Sequence, residues 1–526
     1  MKITEETKRR FMYTLVVCML WGVFAHGFML FNKLSFHDDQ AALFYVGGTY
    51  SSGRWMLGLL GEAVKAVGGV SNYSLPAFSG MIALFFIALS AFLLFQFFHI
   101  ENRLTMAGLC GVMICIPTVT GMFGYMFTFP YYTFGLLICV LACLLFKGFF
   151  SSDRSFALRL GGVILGILLF AMSIGIYQAV ICTCTTILVL DLILFVIDEK
   201  PLKLSAFFKR AFVYLAALLA AFVCYSLLNR LFIILKNVDV NSKYDFWGGM
   251  TPALILERIR VTYVNFFKMG NGTQLYNIFP MTTGVIYRIL LAALFLCVLA
   301  VIISLIKEKA WKNAPAFLIL TALLPFTIDM SFMMDSENRI HALEQYSYIF
   351  VPFTLVLLIA AIVRFGWLPK KILAPLPACA AALLLFLSVL FARYSNICYL
   401  SSDIYQTQAL GYFTTLITRI KSTPGYVQDM PVVYYKQDSK SDSNVPVIRQ
   451  FSEITTAPYV YARTGMQYLN DYAWRNFLYN WLGYYPNRLE ENALAGKEEE
   501  LAAMDVYPND NSIRIIDGIV VIKFAE

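Results

Sequence analysis

Apolar runs separated by short basic connections dominate the first 390 or so positions of the chain. A helix needs about 20 apolar residues to cross about 30 Å of hydrocarbon. Eleven spans are predicted, near 11–31, 76–98, 104–121, 131–148, 156–174, 177–197, 211–235, 285–306, 313–328, 346–365 and 372–392. The fifth and sixth form one stretch too long for a single crossing, and it divides at SIGIYQ, Ser173 to Gln178. After the first span, Ala41 to Leu60 is amphipathic and interrupted by Gly47, Gly48 and Gly53. That pattern predicts short helices lying along the interface. The pattern changes again beyond the last span. Residues 394–526 mix aromatic and charged positions and hold no spanning run. Ser512 to Phe524 alternates on both sides of Asp517-Gly518, a hairpin signal. Pro431 to Tyr435 reads as a further short strand, and the segments near 405–420 and 488–504 read as helical. The expected architecture is a transmembrane helical body, 1–393, followed by a small α/β domain, 394–526.

Composition supports this class, with 59% hydrophobic and 14% charged residues, against about 25% charged in soluble domains. The net charge of +8 is no argument for nucleic acid, because in a membrane protein the placement of the positive charges matters more than their sum. The first apolar run reads as a retained helix, since no small-residue cleavage site follows it. With the N-terminus and its Lys2, Lys8, Arg9 and Arg10 in the cytoplasm, the short basic loops all fall on that side. They hold Arg103; Lys147, Arg154 and Arg159; Lys200, Lys203, Lys209 and Arg210; Lys307, Lys309 and Lys312; Arg364, Lys370 and Lys371. The positive-inside rule then places the C-terminal domain outside the cytoplasm. No internal repeat is visible, which weighs against the repeat-built transporters. The eleven cysteines lie almost wholly in apolar runs. Cys139, Cys143, Cys182 and Cys184 read as small packing residues, with a metal or disulfide site as the alternative.

Candidate chemistry gathers on the predicted outer face. Asp38 and Asp39 follow the first span closely, beside His37 and ahead of Arg54. Such carboxylates can take a proton from a hydroxyl or hold a divalent metal; capping a helix is the plainer reading. A second cluster, Asp329 to Tyr348, contains Asp329, Asp335, Glu337, Arg339, His341 and Glu344. On a helix Glu337, His341 and Glu344 would share a face. Arg54, Arg339 and Arg230 are the candidate phosphate ligands, because the planar guanidinium pairs bidentately. For Arg230 the alternative is snorkelling to lipid headgroups. His37, Asp335, Glu337, His341, Trp474 and Trp481 are the candidate acceptor contacts. The two tryptophans lie in the aromatic stretch DYAWRNFLYNWLGYYP, which can anchor at headgroups or stack on sugar rings. Asp191, within the sixth span, would cost about 2.5–3.5 kcal/mol at a helix centre, and pairing with a loop lysine is expected. There is no GxxxxGK[ST], HExxH or GxSxG motif.

The layout resembles the GT-C class of membrane glycosyltransferases. More closely, FHDDQAALFYVGGTYSSGRW, Phe36 to Trp55, is similar to the GtrII-like bacterial glucosyltransferases that modify surface polysaccharides such as O-antigen. The resemblance implies a sugar donor on polyprenyl phosphate, with undecaprenyl-phosphate glucose the expected form. It also implies a cell-surface glycan acceptor, and a base supplied by Asp38 or Asp39. Partner proteins implied with it are a polyprenyl-phosphate glucosyltransferase and a flippase. No cofactor is required by it, and a divalent metal is compatible with it. A lipid-linked glycan transporter, or a glycan polymerase or ligase, would share the outward lipid site.

Overall fold

The computed structural model describes residues 4–34, 39, 46–70, 73–151, 155–239, 251–268, 281–333, 340, 342–436 and 472–526. The chain divides into two units, Met1–Asn32 with Leu43–Asn396, and Lys33–Ala42 with Ile397–Glu526.

The first unit is helical throughout. Its helices are α1 (Glu5–Phe31), α2 (Val46–Ser51), α3 (Trp55–Gly68), α4 (Pro76–Phe98), α5 (Arg103–Cys115), α6 (Pro117–Phe123) and α7 (Phe129–Gly148). Then follow α8 (Phe156–Ile176), α9 (Val180–Asp198), α10 (Leu204–Lys236), α11 (Pro252–Lys268), α12 (Met281–Lys307), α13 (Ala314–Ile328), α14 (Phe350–Phe365), α15 (Lys370–Leu373) and α16 (Leu376–Lys421). Among the described residues ten helices are long and apolar enough to cross a bilayer. The bent pair α5 and α6, at 43°, would make an eleventh. This pair is the third predicted span. Pro117 stands at the start of α6, and a proline cannot donate the helical hydrogen bond and disfavours helix in the residue before it. The fifth and sixth spans separate where predicted, with α8 closing at Ile176 and α9 opening at Val180.

Central and peripheral helices differ in how much of their surface the protein covers. In α9 and α14, 78% of the apolar window is buried, against 17% in α10. A helix that is apolar all round and uncovered by protein needs lipid on its free face. Close packing in the body runs through α7, which lies against α4 and α8, and through α1, which lies against α4 and α5.

Asp191 is buried in α9 and fully engaged. Lys147 Nζ lies 3.1 Å and Arg210 Nη1 3.2 Å from its carboxylate. The Tyr214 hydroxyl donates to it at 2.6 Å. The sequence expectation named one loop lysine; the structure adds an arginine and a phenol. Removing one member of a buried ion-pair network leaves its partners unpaired, at a cost of about 3–5 kcal/mol. Asp191→Ala should therefore lower the melting temperature in detergent markedly. Asp191→Asn, which keeps a hydrogen-bond acceptor, should lower it less.

The last predicted span does not stop near 392. It continues as one helix to Lys421, a length of about 69 Å at 1.5 Å per residue. The expected separate helix near 405–420 is its C-terminal part. Between Pro377 and Pro424 the chain has no proline, so nothing forces a break.

The second unit adds α17 (Tyr472–Leu482), α18 (Glu498–Ala502) and strands β1 (Val432–Tyr435), β2 (Ile513–Ile516) and β3 (Ile519–Lys523). Strand order is β1-β3-β2, with β1 parallel and β2 antiparallel to β3. Asp517 and Gly518 carry φ of 48° and 76°, the left-handed pair that a tight hairpin turn demands. Val433, Leu494, Leu501, Met504, Ile516 and Val521 form its core.

Candidate functional site

The acidic segment after α1 is described at Asp39. Its side chain is buried and pairs with Lys33 Nζ at 3.0 Å. Both residues belong to the second unit. His37 and Asp38 lie outside the described residues, as do Asp335, Glu337, Arg339 and His341.

Arg54 sits in the first unit, on the turn between α2 and α3. The turn closes by hydrogen bonds from Gly53 N to Tyr50 O at 3.1 Å and from Arg54 N to Thr49 O at 3.0 Å. Gly53 has φ of 75°, a conformation glycine adopts without steric cost. The guanidinium donates from Nη1 to the Tyr132 hydroxyl at 3.3 Å. Its carbon lies 5.4 Å from the Tyr177 ring centre. The Tyr132 and Tyr177 rings stack on each other at 4.3 Å. Tyr132 comes from the first turn of α7 and Tyr177 from the break between α8 and α9. Both line a small, mostly apolar cleft with Thr133, Glu344, Tyr346 and Leu136. The cleft is apolar, with the Glu344 carboxylate in its lining and the Arg54 cation held against two of its tyrosines.

The short helices are held by one face of α10. Phe232 stacks with Trp55 at 5.4 Å and with Tyr50 at 6.1 Å. Lys236 pairs with Glu62 at 2.8 Å. Tyr225 lies on the same face, seven residues before Phe232. Its hydroxyl donates to Gly53 O at 3.1 Å. On the α8 side, Gly175 admits the Trp55 ring, since a Cβ there would lie 2.6 Å from Trp55 Cε2.

Asp329, at the end of α13, is fully buried. Gln345 Nε2 donates to its carboxylate at 3.3 Å. Burial raises this carboxyl to about 7, opposed by hydrogen bonds from Tyr348 and Gln345. The segment that follows serves both places. Leu343, Glu344 and Tyr346 line the cleft, while Gln345 and Tyr348 face Asp329. It forms two 3-10 turns, Ala342–Glu344 and Tyr346–Ile349, rather than a continuous α-helix. The i, i+4, i+7 face expected to end at Glu344 therefore does not extend through that residue. The Asp329 carboxyl ionises in an unfolded chain at its ordinary acidic value but stays protonated in the fold until about 7. Its contribution to stability is then present at low pH and lost as pH rises from about 4 through 7. Thermal melts across that window should show this loss in the wild type and a smaller one in Asp329→Asn.

Arg230 is not among the residues that line the cleft. Arg230 is exposed on α10 and makes no ion pair among the described residues. Its neighbour Asn229 is the one that approaches Gly53; one residue along a helix turns the side chain about 100°. Trp481 is half-buried against Phe477, with ring centres 5.4 Å apart. Trp474 is in α17, and its side chain lies outside the described residues. Cys139, Cys143 and Cys184 bring their sulfurs within 4.8 Å of one another, forming the only such metal-capable group among the described residues. Cys143 and Cys184 hydrogen-bond at 3.4 Å and Cys139 donates to Val180 O, as packed thiols do.

Sequence reasoning did not single out Tyr177, Gln178 or Tyr225 as site residues, and it took Tyr132 only as part of an aromatic stretch, Met122 to Phe134, that can anchor at headgroups or contact sugar. The available signal was a polar–aromatic stripe on one face of an otherwise apolar helix, Tyr225, Asn229, Phe232 and Lys236. The polar pair Tyr177-Gln178 at the split between two spans was a second.

Fold and cleft together define a multi-pass helical membrane protein with a tyrosine-lined cleft in its body and a cation, Arg54, against those tyrosines. Residues 27–341 match the family described as glucosyl transferase GtrII, and the chain belongs to that family. No curated protein and no solved structure matches it.

Proposed function

We propose that the protein moves one glucosyl unit from polyprenyl phosphate, in the form of undecaprenyl-phosphate glucose, to a hydroxyl of a cell-surface glycan. The reaction is placed on the outer face of the bacterial cytoplasmic membrane, with the N-terminus cytoplasmic and the C-terminal unit extracytoplasmic. The acceptor oxygen attacks the anomeric carbon, and the bond from that carbon to the phosphate oxygen breaks. The proton passes to Asp38 or Asp39, and the phosphate leaves with its second negative charge. Arg54 offsets that charge, since stabilising charge that develops in the transition state is often the largest catalytic term. The observation that carries this reading is the Arg54 guanidinium held against Tyr132 and Tyr177, two stacked tyrosines that line an apolar cleft.

A transporter of lipid-linked glycan is the rival reading. It would need charged groups lining a path through the membrane, and Asp191 is instead neutralised by Lys147 and Arg210. The test is an assay in sealed vesicles with radiolabelled glucosyl polyprenyl phosphate and surface glycan. Label should appear on the glycan when both face the extracytoplasmic side. Transfer from a nucleotide sugar at the cytoplasmic side, or movement of label across the membrane without transfer, would overturn the proposal.

A further inference from the structure

The break between α8 and α9 does more than turn the chain. Tyr177 lies under the Arg54 guanidinium. The next residue, Gln178, donates from Nε2 to the Ser52 carbonyl at 2.9 Å. Across from it Tyr225 of α10 donates to the Gly53 carbonyl at 3.1 Å. Gln178 and Tyr225 also meet each other at 3.5 Å. Both side chains are buried, as is Ser52. The two carbonyls immediately before Arg54 are therefore gripped from two sides, by the break between α8 and α9 and by α10. The grip leaves no spare room. A Cβ at Gly53 would lie 2.7 Å from the Tyr225 hydroxyl and 3.1 Å from Gln178 Nε2.

These contacts reach backbone, not substrate. A helix start held this way cannot slide or rotate without breaking two buried hydrogen bonds, each costly to leave unmade. Arg54 is the first residue beyond the grip and precedes Trp55, which is itself packed on Gly175. We infer that Gln178 and Tyr225 are positioning residues that fix Arg54 for the leaving phosphate. The inference rests on the role given to Arg54 above. Misplacement by about 1 Å can cost on the order of 100-fold in rate, so a partial loosening should be visible.

The test is a double-mutant cycle read by single-turnover transfer and donor KM, with melting temperature as a fold control. Gln178→Met keeps size and loses the donor; Tyr225→Phe removes one hydroxyl and keeps the ring. Each should slow transfer about 5- to 10-fold, mainly in the chemical step rather than in donor KM. In an Arg54→Ala background each should slow it less than 2-fold further. Tyr225→Phe is the smaller change and serves if Gln178→Met fails to fold. Equal effects in both backgrounds would mean that the two residues act on the fold alone, and the inference falls while the role of Arg54 stands. If Arg54→Ala itself leaves transfer unchanged, the functional reading fails first and this inference with it.

Discussion

Asp38→Asn and Asp39→Asn, made singly and together, should include at least one single variant whose glucosyl transfer drops by about 10²- to 10⁴-fold, the contribution of a positioned general base. Donor KM should change little, because the proton leaves the acceptor and not the lipid. Single-turnover measurement with saturating donor separates these quantities. Asp39 needs a control, since its buried carboxylate pairs with Lys33 at 3.0 Å. Asp39→Asn removes the charge of a buried ion pair whose lysine is partly exposed, so it could act through folding. Lys33→Met breaks the same pair while keeping the carboxylate. If the two variants lose activity and melting temperature in parallel, the pair is structural. If Asp39→Asn alone loses transfer, the carboxylate acts on the proton. Wild-type turnover in all three acidic variants, correctly folded, would remove the base from this segment.

The second large effect is expected at Arg54. A sugar phosphodiester carries one negative charge, and the departing phosphate monoester acquires a second. A cation beside it therefore binds the transition state better than the bound donor, which lowers the barrier rather than merely KM. Hydrogen bonds to charged groups are worth about 1.5–3 kcal/mol, which is about 10- to 150-fold in kcat/KM. Arg54→Ala should lose that range, mostly in kcat. Arg54→Lys keeps the charge but gives up the planar fork and much of the stacking on Tyr177, so it should fall between. An unchanged kcat in both variants would exclude contact with the leaving group.

What could be read from the chain follows from what its signals measure. Span positions were legible because a run of apolar residues long enough to cross hydrocarbon has few other uses. The Asp517-Gly518 hairpin was legible because two successive positive φ angles restrict the residue types. The end of α16 was not, because helix termination near 392 was inferred from the width of a membrane, whereas the chain itself carries no breaker before Pro424. Arg54 was singled out as a cation soon after an acidic pair. Tyr132, Tyr177 with its neighbour Gln178, and Tyr225 come from three separate places in the sequence, and tyrosines in an apolar chain resemble ordinary interface tyrosines. Their convergence is a property of packing between α7, α8, α9 and α10, which periodicity within one helix does not encode. Arg230 sits off the packed face for a related reason: it is one position away from the stripe that Tyr225, Asn229, Phe232 and Lys236 share.

The grouping of Lys33, Leu34 and Asp39 with Ile397–Glu526 bears on how relatives can be recombined. The family match stops at residue 341, so the tail looks like a detachable module that could be traded between members. Yet the loop carrying Asp39 clusters with that module. A chimera that imports a foreign tail would keep its own acidic loop but lose the surroundings that loop was selected with. Functional chimeras should therefore require exchanging the loop and the tail as a pair.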